Sequence, residues 1–163
     1  MRLFLFFITI VLFSACVPMT PPVSRMAFPE NEYRALPKIG NAIVRGQAFL
    51  KTRGGDVKTA AGNEVILNPV TSYSLEWYEK SYLPSRPMDN SDPRILDYIM
   101  KQVADGSGRF TFKNVAPGEY FVTTDVTWEA PTGYQGALQH QGGKVTKRIS
   151  VKNGDELDVI VTR

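Results

Sequence analysis

Apolar and polar residues alternate with a period of two over most of the chain after residue 41. Successive side chains on a strand point to opposite faces, so this period predicts β-structure. Residues 42–50 (AIVRGQAFL) alternate imperfectly and stop at Thr52-Arg53-Gly54-Gly55. In the run from residue 64, Val65, Leu67 and Pro69 point one way and Glu64, Ile66 and Asn68 the other. Phe110 and Phe112 share a face opposite Arg109, Thr111 and Lys113. Tyr120, Val122, Val126 and Trp128 form one face of the next run; Thr123, Asp125, Thr127 and Glu129 form the other. KVTKRISV and ELDVIVTR close the chain, joined at Asn153-Gly154, a strong hairpin signal. DGSG at 105–108 and APG at 116–118 read as tight turns around a buried strand, since Asp, Ser and Gly each favour turns. About seven short strands separated by turns predict an all-β fold, an antiparallel sandwich.

Two stretches break the period. Residues 74–92 fit a short helical or irregular piece ending before Pro84. Asp92 as N-cap, Pro93 at the first position and the stripe Ile95, Leu96, Ile99, Met100 predict a short helix over 93–99. A strand throughout 95–103 is the alternative. Tyr73, Trp77, Tyr78 and Tyr82 gather in this insertion. Such rings either stack on sugars or anchor a partner protein, or they fold the insertion onto the core. Residues 130–143, with Tyr134 and His140, read as a long loop. Tyr73, Trp77, Tyr78, Tyr82, Tyr134 and His140 are therefore the candidate interaction surface, because loops on a rigid scaffold carry recognition.

The first residues read as an export signal over 1–15: Arg2, an apolar run from Leu3 to Phe13 broken only by Thr9, then small Ser14 and Ala15. The run is short of the roughly 20 apolar residues that span a bilayer. Cys16, the single cysteine, has no internal disulfide partner. The sequence LFSAC resembles a bacterial lipobox, with Phe13 where that pattern usually has Leu. The resemblance implies a lipidated Cys16 anchored in a membrane, and Val17 in place of Asp implies the outer membrane. An ordinary cleaved signal with an unmodified cysteine is the alternative. Residues 16–40 hold five prolines after the Cys and show no period, which predicts an extended tether. Its apolar Met26, Phe28, Tyr33 and Leu36 are placed to dock on the folded part. The folded part is then 41–163.

ADGSGRFTFKNVAPGEYFVTTD and GQAFLKTRGGDVKTAAGNEVILNP resemble carboxypeptidase regulatory-like domains: an Asp-x-x-Gly turn, an aromatic-x-aromatic strand, then Pro-Gly-x-Tyr opening the next strand. The resemblance covers roughly residues 41–163. It implies a transthyretin-like sandwich of the prealbumin type and says little about function.

Charge and chemistry narrow the rest. A net charge of +3, falling to +2 when the signal leaves with Arg2, is no nucleic-acid signature. Lys144, Lys147, Arg148 and Lys152 form the one local cluster. One His cannot supply a zinc site, which takes about three protein ligands. No G-x-S-x-G elbow is present. DGSG has the first oxygens of a calcium loop, but Phe110 and Phe112 stand where ligands belong. The expectation is a non-catalytic envelope lipoprotein with no metal and no cofactor. Its partner is another envelope protein, in an envelope or secretion assembly. The alternative is a glycan or peptidoglycan bound through residues 73–82.

Overall fold

The computed structural model describes residues 21–133 and 136–163; Cys16 and Tyr134 lie outside them. Among the described residues, eight strands form two four-stranded sheets packed as an all-β sandwich. The strands are β1 (Ala42–Lys51), β2 (Val57–Thr59), β3 (Glu64–Pro69), β4 (Met100–Val103), β5 (Arg109–Val115), β6 (Gly118–Pro131), β7 (Leu138–Val151) and β8 (Glu156–Val161). One sheet centres on β1, which pairs with β2, β5 and β8. The other runs β4-β3-β6-β7.

The alternation sets the core. Val65, Leu67, Val122 and Val126 from one sheet meet Val44, Phe110, Phe112 and Val161 from the other, all buried. Strand β1 turns small residues inward, and this makes room for the phenylalanines. A Cβ on Gly46 would stand 2.5 Å from the Phe110 ring and 2.4 Å from the Val159 carbonyl oxygen. Large-against-small complementarity of this kind sets a core's density. The DGSG turn forms as expected. Asp105 Oδ1 accepts the backbone N–H of Ser107 at 2.8 Å and of Arg109 at 2.9 Å. Those two bonds hold its carboxyl below the usual range.

Two local expectations change. The Asn153-Gly154 turn exists, with Gly154 N–H donating to Asn41 Oδ1 at 2.7 Å, but it is not a hairpin. Strand β7 is already paired with β6, so the chain crosses to the other sheet. There β8 lies parallel to β1, from Ile43↔Glu156 to Ala48↔Val161, and turns Val159 and Val161 into the core. Residues 130–143 are also largely strand, not loop. The β6–β7 ladder runs out to Pro131↔Leu138. Gly142 and Gly143, which read as loop residues, sit inside it. A Cβ on Gly142 would be 2.8 Å from the Trp128 ring, so the glycine is where that ring needs space.

The prediction over 93–99 yields a shorter 3-10 turn, Pro93–Asp97. Asp92 caps it, accepting from Arg94 N–H at 3.0 Å. Residues 21–40 lie on the sandwich. A five-residue helix, α1 (Glu30–Arg34), carries Tyr33 into full burial, and Phe28 stacks on Tyr33 at 4.6 Å. Among the described residues no helix is long and apolar enough to cross a membrane.

Candidate functional site

Phe121 points out of the sandwich, opposite to Tyr120 and Val122, yet it is 0% exposed. The insertion covers it. Helix α2 (Ser72–Trp77) starts at a reciprocal cap. Thr71 Oγ1 accepts from Ser74 N–H at 3.2 Å, and Ser74 Oγ accepts from Thr71 N–H at 2.8 Å. The chain then widens into a π-helical turn, Tyr78–Tyr82. Widening brings residues four and five apart onto one face, so Tyr82 meets both Tyr78 (5.4 Å) and Trp77 (5.6 Å). Tyr78 stacks on Phe121 at 4.8 Å, and Trp77 meets it edge-on at 6.5 Å. The Tyr82 hydroxyl accepts from Thr146 N–H on β7 at 3.1 Å. The result is a second, small aromatic core on the outer face of the β4-β3-β6-β7 sheet.

Tyr73 belongs to a neighbouring cluster with Phe28, Tyr33 and Tyr98 and is 2% exposed. Its hydroxyl accepts from Asp92 N–H at 2.8 Å, and the Arg25 guanidinium lies 4.7 Å from its ring centre. Tyr73 is thus not a surface residue, contrary to the sequence expectation. Its position at the start of α2 turns it under the N-terminal segment. Trp77, Tyr78 and Tyr82 keep partial exposure. His140 does not join them. It stands on β7 opposite Glu129, its Nδ1 3.4 Å from Glu129 Oε1. That is six residues along β6 from Thr123, about 20 Å at strand spacing.

Trp77 borders a groove on either side. The larger holds about 310 Å³. Its floor is the sheet face, with Ile66 and Asn68 of β3, Lys101 of β4, Thr123 of β6 and Lys144 of β7. Ser74 and Trp77 form one wall, and Ile95, Leu96 and Ile99 the other. The second hollow, about 250 Å³, lies between Trp77, Tyr82, Arg86, Lys144 and Arg163. Trp77 and Lys144 line both. Among the described residues, Asn68 Oδ1 is buried and has no hydrogen-bond partner. An unpaired buried acceptor costs roughly 1–3 kcal/mol. An apolar ring beside polar groups on a sheet floor suits a ligand with apolar faces and many hydroxyls. A separate hollow of about 220 Å³ at the sandwich end, beside Leu36, Met100 and Tyr120, also sets rings beside polar groups, but it is lined by the carboxylates Asp97 and Glu119 and has no tryptophan. The Tyr120 hydroxyl there is committed to the Ala116 carbonyl at 2.9 Å.

No protein-family model matches the chain, and no curated protein matches it. Solved structures do match it. The chain is similar to a Pseudomonas aeruginosa protein described as a "putative carbohydrate binding protein". The TM-score is 0.75 and the identity 29%, over 85% of this chain and 99% of that one.

Proposed function

We propose that the protein is a non-catalytic glycan-binding module of the bacterial cell envelope. The observation that carries this reading is the half-buried Trp77 ring standing between two hollows, with Thr123 and Lys144 on the sheet floor. A sugar ring laid on Trp77 offers its C–H face to the indole and its hydroxyls to Asn68, Thr123 and Lys144. The likeness to a protein described as carbohydrate binding supports the same reading. The lipobox-like LFSAC supports attachment through Cys16, with the outer membrane as the address.

The test is binding to a panel of neutral and acidic oligosaccharides by the full chain and by Trp77→Ala. A stacked ring is worth about 0.5–1.5 kcal/mol beyond its buried area, so the substitution is expected to weaken binding about tenfold. A melting curve on the same variant separates lost binding from lost fold. If no glycan binds the unaltered chain, the reading fails.

A second reading, a protein-interaction module in an envelope assembly, has its own observation. Leu83, Leu96 and Val103 are 59%, 57% and 66% exposed on the insertion and the adjoining β4 edge. Crosslinking in intact cells would favour it if one protein is captured through Leu83 or Val103 and the capture survives Trp77→Ala.

A further inference from the structure

Charge is not evenly distributed around Trp77. The chain as a whole is nearly balanced, with 19 Lys and Arg against 16 Asp and Glu. Arg25, Arg86, Lys101, Lys144 and Arg163 line the two hollows, and no Asp or Glu side chain does. Their counter-charges stand outside the lining. Lys101 pairs with Glu64 at 3.0 Å and Lys144 with Asp125 at 2.8 Å. Arg86 and Arg163 have no ion pair among the described residues. Both line the smaller hollow.

The backbone of Arg86 is held in place. Its N–H donates to the Ser81 carbonyl at 2.9 Å, and its carbonyl accepts from Ser81 Oγ at 2.7 Å. Ser85 just before it takes a left-handed conformation, φ 52°. A non-glycine residue there costs about 1–3 kcal/mol and persists only where its surroundings fix it. Arg163 approaches from the other side, its Nη2 donating to the Gly142 carbonyl at 3.4 Å. The arrangement is an exposed guanidinium on a fixed backbone, a second guanidinium and a shared lysine beside an aromatic ring.

We propose that the smaller hollow is a subsite for an acidic sugar, a uronic-acid residue whose carboxylate lies between Arg86 and Arg163 while its neighbour in the glycan stacks on Trp77. A guanidinium fork matches a carboxylate with two parallel hydrogen bonds, which a neutral hydroxyl cannot reproduce. The inference rests on the glycan reading and narrows it to carboxylated glycans.

Titration calorimetry on the full chain tests it, using oligogalacturonate, neutral cello-oligomers of equal length and polyglutamate of equal charge. A charge-assisted bond contributes about 1.5–3 kcal/mol, so oligogalacturonate is expected to bind at least about tenfold more tightly than the neutral oligomer. The Arg86→Gln, Arg163→Gln double variant removes that margin, so that the two oligosaccharides bind alike. Higher salt also shrinks the margin, since both groups are at the surface. If oligogalacturonate binds no better than the cello-oligomer, or polyglutamate binds as well as it does, the acidic-sugar subsite is wrong while glycan binding stands. If neither oligosaccharide binds, both readings fall together.

Discussion

A methyl group on Gly142 would sit 2.0 Å from the Val126 carbonyl oxygen, and the residue's φ is 98°. Gly143 beside it also has positive φ, 144°, but a Cβ there meets only the tips of Arg163, at 3.6 Å. Both substitutions to Ala strain the backbone; only the first collides with a strand. Gly142→Ala is expected to lose about 2 kcal/mol or more, and Gly143→Ala clearly less, by denaturant midpoint. Equal losses would mean the backbone conformation alone matters there. Asp92 gives a pH handle at the same scale. Its hydrogen bonds with Arg94 lower its carboxyl to about 2. In the unfolded chain it titrates near 4. The stabilisation is complete above about pH 4 and is lost as pH falls toward 2. Melting temperature against pH should therefore fall less steeply over that window in Asp92→Asn. Sequence reveals such residues unevenly. Asp105 was readable because it bonds its own turn. Asn68 was placed on the outer face by alternation, but nothing local says that its oxygen goes unpaired, since that depends on what the insertion covers.

At the scale of elements, the insertion is the part that makes a site out of a sandwich. It turns one sheet face from a solvated surface into a floor with walls, and Phe121 is the post it rests on. Phe121→Ala removes a fully buried ring that Tyr78 stacks on. Such truncations cost about 3–5 kcal/mol. The expected outcome is a loss of that order in unfolding free energy, with faster amide exchange in 72–82 than in the β1–β8 pair. Uniform exchange would contradict a separate aromatic core. The strands were legible because burial on one face writes a period of two into the sequence. The insertion was less so: its aromatics fit both surface and interior, and only the outward Phe121 in EYFV hints that this face has a cover. The Asn153-Gly154 turn was found and its role misjudged, because turn chemistry says nothing about which sheet the next strand joins.

For the whole molecule, the chain enters along the grooved face of the β4-β3-β6-β7 sheet before strand β1 begins. Residues 21–40 dock there through Phe28 and Tyr33, so they contribute to the fold as well as linking it to the N-terminus. If Cys16 is lipidated, Cys16→Ser should move the protein from the membrane fraction to the soluble one; unchanged fractionation would contradict the anchor. The fold class was legible at this scale from alternation and turns. The groove was not, because Asn68, Thr123 and Lys144 meet Trp77 only after three strands and the insertion assemble. The most direct measurement is amide chemical-shift mapping as a bound oligosaccharide is titrated in. The groove predicts shifts at Asn68, Thr123, Lys144 and the Trp77 indole, with the Glu129–His140 end of the hairpin unmoved. Shifts at that hairpin end, with the Trp77 indole silent, would contradict it.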